Sequence, residues 1–294
     1  MRYYLRNGSL LVRGAFRAAS TGIRGGIGNV STIFNHTVPR GWNDPDPGRE
    51  LDLIISREGL PDDYFGLLTA VSQNNACILQ YDYITVFITA GTGEHDGPDS
   101  NTINIIVYSS EGLSDGGLLE AVMVATEAKV SSLLNAGKQV TGTATDAVIT
   151  ASEGAPVHTF CGKKTGPGMR VFAAVEYGVS EALKRHAGEI KRNRPSFFIF
   201  SRYGGDHWAE WVPEDCPYYP CHFPGQRCDY CYCPFYPCMD ESLGEWVQSS
   251  HNGRVWNCSG CTLLHLPHIA DYLGKNPEAS LNELKALERC KKKG

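Results

Sequence analysis

Residues 102–137 read TINIIVYSSEGLSDGGLLEAVMVATEAKVSSLLNAG, and the change of pattern within them decides the fold. Thr102 to Tyr108 is an apolar, β-branched run around Asn104, which predicts a strand. Ser114 then suits an N-cap, Asp115 suits the positive end of a helix, and Gly137 offers a stop. Between them Leu119, Val122, Met123, Val130, Leu133 and Leu134 fall in one stripe at about 100° per residue, the expected core face, with Thr126 near its centre and Glu127 and Lys129 at its rims. Working outward, residues 9–20, 30–38, 84–90 and 147–151 read as strands. Residues 64–71 read as a short helix and 168–185 as a longer one. Thr21 to Gly28 is glycine-dense but spells neither GxGxxG nor a P-loop, so it predicts a turn. Strands and helices mix without a strict βαβ rhythm, which predicts an α+β (layered α/β) domain.

The chain has 294 residues, 42% hydrophobic and 20% charged, enough for one or two domains with a real core. Its net charge of −5 argues against broad electrostatic binding to nucleic acid. No apolar run reaches the roughly 18 residues of a membrane helix, and no signal-peptide core follows the first residues, so a soluble, cytoplasmic protein is expected. Composition shifts near residue 196, from Ala, Val, Gly and Thr to Trp, Tyr, Pro and Cys. That shift predicts domains at 1–195 and 196–294. No internal repeat is evident.

Three segments concentrate polar groups beside apolar elements: Asn101 to Val107, Ala125 to Lys129, and Thr141 to Ala147. A half-buried Glu127 would suit proton transfer, and Lys129 with Asn104 would suit a developing oxyanion. Asp146 with Thr143 would orient a water; alternatively Thr143 or Thr145 is the nucleophile. The plainer reading has Thr126 bonding a carbonyl one turn back and Glu127 and Lys129 as helix-rim residues. His95 lies in a loop, as a candidate base or ligand.

These three blocks, in this order and spacing, resemble the adenosylcobinamide amidohydrolases, the CbiZ family. Gly25-Gly26 with Asn35 downstream, and the Val86 to Gly91 strand ending Thr-Ala-Gly, resemble earlier blocks of the same family. The resemblance covers about residues 8–185. It implies hydrolysis of the amide between the corrin propionyl side chain and aminopropanol, giving adenosylcobyric acid and 1-aminopropan-2-ol, in salvage toward coenzyme B12. A non-catalytic corrinoid-binding protein is the competing expectation. A wide, amide-fringed corrin makes Gly25, Gly26, Asn35, Thr102, Thr126 and His95 candidate binding positions, and His36 or His95 a candidate cobalt ligand.

Eight of eleven cysteines crowd into Cys216, Cys221, Cys228, Cys231, Cys233, Cys238, Cys258 and Cys261. Without an export signal, such density predicts metal binding over disulfides. Cys228/Cys231 and Cys258/Cys261 have zinc-knuckle spacing, and eight thiolates suffice for two tetrahedral zinc sites. His222 and His265 are substitute ligands, and an iron–sulfur cluster stays open. Tyr218 to His222, Cys233 to Cys238 and Trp256 to Cys261 resemble a cysteine-rich small domain attached to such enzymes. Glu278 to Leu287 is expected to form a capping helix.

Overall fold

The computed structural model describes residues 1–92, 102–212, 216–248 and 254–291. The chain divides into two compact units, Tyr3–Trp211 and Val212–Gly294. The first begins with β1 (Arg2–Arg6), β2 (Ser9–Ser20) and β3 (Gly26–Thr37), followed by α1 (Pro47–Glu58) and β4 (Tyr64–Thr69). Next come β5 (Cys77–Tyr81), β6 (Ile84–Gly91), β7 (Thr102–Ser109), the short β8 (Gly112–Leu113) and α2 (Asp115–Asn135). Then β9 (Ala147–Ser152), β10 (Pro156–His158), α3 (Gly166–His186), β11 (Ser196–Ser201) and β12 (His207–Trp211) complete the unit. The main sheet has the order β12-β11-β5-β6-β7-β9-β2-β3-β4, with β1 beside β2. Pairings mix: β3 with β4, β7 with β9 and β5 with β11 are parallel, while β2 with β3, β6 with β7 and β2 with β9 are antiparallel.

This sheet curls on itself. Asn35 on β3 donates to Thr89 on β6 at 2.9 Å, although the two strands are four places apart in the order. In a flat sheet four spacings would separate them by about 19 Å. Val12, Ile33 and Leu67 therefore meet Ile78, Phe87 and Ile106 in one inner core. Helix α1 covers the outer side of β2 and β3 through Leu51, Ile54 and Ile55 against Leu11 and Phe34. Helices α2 and α3 cover the outer side of β5, β6 and β7. The result is helix, sheet, sheet, helix, with each fully buried Phe or Leu contributing about 1.5–3 kcal/mol.

Several sequence expectations need correction. Residues 64–69 form a strand, not a helix: they pair with β3, and Gly66 lets Phe34 approach to where a Cβ would stand 2.4 Å from its ring. The stripe expected on α2 holds only in part: Leu133 is buried and Val122 packs half-buried against the core, but the inward face is turned away from the rest. Its buried residues include Ala121, Val124, Ala125, Ala128, Lys129 and Leu133, whereas Leu119, Met123 and Leu134 are exposed. Small side chains let α2 pack closely in the core it shares with Ala174, Val175 and Ala182 of α3, a device hidden from a reading weighted toward large aliphatics. Helix α1 was legible and passed over: Asp46 caps it, Pro47 opens it and Gly59 closes it at φ 66°.

The first unit continues past the break expected at 195/196. Ser196 and Phe197 pair with Cys77 and Ile78, and β12 returns against β11. Arg185, its side chain wholly buried, donates to Glu181 (2.7 Å), Ser196 (2.8 Å) and Glu210 (3.2 Å), tying α3 to both strands.

The second unit holds the hairpin β13 (Glu245–Gln248) and β14 (Arg254–Asn257), then α4 (Pro267–Lys275) and α5 (Leu281–Lys291). Its small core is Leu263, Leu264, Ile269, Leu273, Ala279 and Leu284. Among the described residues no helix is long and apolar enough to cross a membrane.

Candidate active site

Asp146 precedes β9, and four donors converge on its carboxylate. Lys129 Nζ lies 2.5 Å from Oδ2, and the Thr143 N–H donates to the same oxygen at 3.1 Å. Thr143 Oγ1 donates to Oδ1 at 2.6 Å, and the Ile103 N–H does so at 2.9 Å. Two carboxylate oxygens offer about four acceptor sites, so this set fills them. The Lys129 and Asp146 side chains are only 9% and 11% exposed. The ion pair therefore draws together α2, the start of β7 and the loop before β9. Gly142 gives the pair its room: a Cβ would stand 2.5 Å from Asp146 Oδ2 and 2.6 Å from Lys129 Nζ, so a larger residue must displace them. Beside this cluster Thr102 and Thr145 share a hydroxyl hydrogen bond of 2.7 Å. The backbone N–H of Ile103 and the room that Gly142 gives were not singled out from sequence, though both lie in segments whose polar density drew notice.

A second polar cluster braces the inside of the curl. Asn104 Nδ2 donates to Asn35 Oδ1 and to the Leu68 carbonyl, both at 2.9 Å. Asn35 Nδ2 in turn donates to Thr89 at 2.9 Å and to Gln73 Oε1 at 3.5 Å. Flipping Asn104 would set its oxygen against two acceptors, so its orientation is fixed. Both N–H groups of Asn104 are thus committed inside the fold, which removes it as an oxyanion donor. Its Oδ1 is buried without a protein partner among the described residues.

The glycine hairpin between β2 and β3 borders the same end of the sheet. Thr21 exchanges hydrogen bonds with Val148, two residues beyond Asp146. A Cβ on Gly22 would meet Leu67 Cδ2 at 2.6 Å, and one on Gly25 the Ser20 carbonyl oxygen at 2.3 Å. Gly26 sits at φ 137° with open space around it. The hairpin is a tight turn, exposed from Arg24 to Ile27 and tied to the start of β9 through Thr21.

Other expected positions fall outside the cluster. Glu127 is exposed rather than half-buried, because residues two apart on a helix point to different sides and Lys129 takes the inward one. Thr126 is also exposed, and its hydroxyl donates to the Val122 carbonyl at 2.8 Å. His95 lies outside the described residues. His36 is buried, with Nδ1 2.7 Å from Ser9 Oγ, and burial first, then Arg57, lowers its proton affinity. That is a core histidine rather than an open cobalt ligand.

No disulfide joins the described cysteines of the second unit. Among the described residues no three His, Cys, Asp or Glu side chains stand close enough to hold a metal ion. Burial raises the Cys231 thiol, and Cys228, Cys221 and Cys216 add to it. Burial pushes Cys233 up to about 11, against a backbone N–H from Phe235, with Cys261, Cys258 and Cys238 adding. The rings of His222 and His265 lie tilted by 39° with centres 4.5 Å apart; the His265 Nδ1 lies 2.7 Å from the Arg227 carbonyl oxygen.

Comparison with known proteins extends this picture. Residues 9–191 match the family of adenosylcobinamide amidohydrolases (CbiZ), and residues 207–288 match the cysteine-rich small domain. An adenosylcobinamide amidohydrolase of Methanosarcina mazei is 36% identical over 196 residues, 63% of this chain and 98% of that protein. One from Halobacterium salinarum is 32% identical over 186 residues, 57% of this chain and 80% of that protein. A probable cobalt-factor III C(17)-methyltransferase of Methanothermobacter thermautotrophicus is 51% identical over 53 residues, 18% of this chain and 14% of that protein. By the family match and the near-complete coverage of the first relative, this chain belongs to the adenosylcobinamide amidohydrolase family and carries a cysteine-rich small domain after it.

Proposed function

We propose that the first unit hydrolyses the amide joining the corrin propionyl side chain to aminopropanol in adenosylcobinamide. The products are adenosylcobyric acid and 1-aminopropan-2-ol, and the step returns incomplete corrinoids to coenzyme B12 synthesis in the cytoplasm. Family membership supports the reaction class. The observation that carries the chemistry is one carboxylate, Asp146, holding both a hydroxyl nucleophile candidate and an ammonium.

An unactivated amide needs attack at carbon, stabilisation of the oxyanion and a proton for the leaving amine. Asp146 fixes Thr143 so that its hydroxyl hydrogen points inward and its oxygen lone pairs face the substrate. Lys129, held beside it in a site of low exposure, supplies positive charge for the oxyanion. In one route Thr143 orients a water, whose oxygen bonds the carbonyl carbon as the carbon–nitrogen bond breaks and the amine takes the proton. In the other the Thr143 oxygen bonds the carbonyl carbon, the carbon–nitrogen bond breaks, the hydroxyl proton passes to the departing aminopropanol nitrogen, and water then hydrolyses the ester to acid and free Thr143. Trapping with hydroxylamine separates them, since only an ester intermediate yields a corrinoid hydroxamate. The exposed backbone of the Gly22 to Gly26 hairpin and the Thr102–Thr145 pair offer hydrogen bonds to the amide fringe of the corrin.

The test incubates the purified full chain with adenosylcobinamide and identifies products by mass spectrometry. Adenosylcobyric acid and free aminopropanol from the parent, with corrinoid still bound but uncleaved by Lys129→Met, support the proposal. Tight binding of substrate that stays intact with the parent would instead make the protein a corrinoid carrier.

A further inference from the structure

The glycine hairpin between β2 and β3 is tied down on two sides. On one side Thr21 exchanges hydrogen bonds with Val148 of β9. On the other, Arg24 reaches α1 and β4. Its Nη1 lies 2.9 and 2.8 Å from the two carboxylate oxygens of Asp52, and the Tyr64 hydroxyl donates to the same carboxylate. Its neighbour Ile23 packs against the apolar cluster of α1. Arg24 itself sits at φ 52° and Gly26 at φ 137°, so the turn is not one that most side chains favour. Helix α1 is shaped to receive the guanidinium. Gly48 is the second residue of α1 and is buried. Its φ lies outside the left-handed region, and glycine weakens a helix relative to alanine, so the backbone does not ask for glycine there. A Cβ on Gly48, however, would stand 2.4 Å from Arg24 Nε and 2.7 Å from Cζ. Helix propensity is given up at this position, and the space goes to the guanidinium.

We propose that Arg24 is a positioning residue for corrinoid binding: seated on Gly48 and held by Asp52, it keeps the glycine hairpin in the conformation that receives the amide fringe of the corrin. This rests on the reading of that hairpin as the substrate-facing edge of the Asp146 site. The Arg24 and Asp52 side chains are 54% and 53% exposed, so their pairing adds little to global stability. Its effect is local. A glycine-rich turn that loses one of its two ties spreads over many conformations, and the fraction ready to bind falls. Apparent affinity falls by the same fraction. The chemical step on bound substrate is untouched, because Lys129 and Thr143 are held by Asp146 and not by the hairpin.

The test measures KM and kcat on adenosylcobinamide, its Kd by equilibrium dialysis, and Tm, all on the full chain. Gly48→Ala is the decisive variant, because it pushes the guanidinium off its seat without altering the hairpin or removing a charge. It is expected to raise KM and Kd by about fivefold or more, to leave kcat within about twofold, and to melt no lower than the parent. Arg24→Met is expected to raise KM and Kd as much, and Arg24→Met/Gly48→Ala no further than Arg24→Met alone, since both changes break one contact. Unchanged KM and Kd in Gly48→Ala, a loss carried by kcat, or losses that multiply in the double variant overturn the proposal and leave the hydrolytic reading standing. If the parent binds adenosylcobinamide without cleaving it, the hydrolytic reading falls and the Kd values alone decide the role of Arg24. A parent that neither binds nor cleaves it overturns both.

Discussion

Asp146→Asn preserves shape but removes the charge opposite Lys129. The ammonium is then left with a side chain only 9% exposed and no counter-ion at 2.5 Å. Breaking a buried pair on one side costs about 3–5 kcal/mol, because the remaining charge is stranded. For a unit of roughly 200 residues each kcal/mol moves Tm by about 2–4 °C, so the variant should melt on the order of 10 °C lower. Adding Lys129→Met removes the stranded charge and should return at least half of the lost stability. Turnover behaves differently. The single variant loses the carboxylate that holds the Lys129 ammonium and takes up the Thr143 proton, the double variant loses the ammonium as well, and kcat/KM on adenosylcobinamide should fall by at least about 10²-fold in each. Thermal and urea unfolding give the stabilities, and product analysis gives the rates. A single variant melting within about 2 °C of the parent, or a double variant as unstable as the two singles summed, would refute the reasoning.

Thr143→Val removes the hydroxyl 2.6 Å from Asp146 and should lower kcat by about 10²-fold or more, while Thr143→Ser retains most activity; equal rates for the two would exclude the hydroxyl from the chemistry. Truncation after Trp211 should leave a soluble first unit, whereas truncation after Pro195 strips β11 and β12, bares the edge of β5 and strands Arg185, and should aggregate on expression. Glu58 sets an acid limit: burial pushes its carboxyl up, but hydrogen bonds from Asn7 and Arg6 and the charge of Arg6 outweigh this and hold it below the ordinary carboxylate range. The unfolded chain then binds the extra proton first, so this contribution is full above about pH 4.3 and is lost as pH falls through the folded value. The stability gap between the parent and Glu58→Gln should shrink across that window; a gap independent of pH would contradict the assignment.

Much of the first unit was legible because its signals are local. Ser114 caps α2 as expected, accepting from the Gly117 N–H at 3.0 Å, and the apolar runs at 84–91 and 102–109 are strands. What was misread depends on contacts distant in sequence. Tyr64 to Thr69 is a strand because β3 pairs with it, and the inward face of α2 is set by how closely alanines allow α3 and the sheet to approach. The segments of Asn104, Lys129 and Asp146 do converge, through Ile103 and Lys129 on Asp146, but their side chains serve different clusters. Asn104 spends both donors on the Asn35 side of the curl, and Glu127 points away from Lys129. Periodicity alone cannot assign a carboxylate to a site when two neighbours on a helix serve different layers.

The central claim is that water cleaves the aminopropanol amide at the Asp146 cluster. Turnover of adenosylcobinamide by the full chain in ¹⁸O-labelled water tests it most directly. The account predicts that adenosylcobyric acid appears with one heavy oxygen in its new carboxylate, alongside unlabelled 1-aminopropan-2-ol, and that Asp146→Asn abolishes the signal. Recovery of intact adenosylcobinamide from enzyme that binds it would contradict the account.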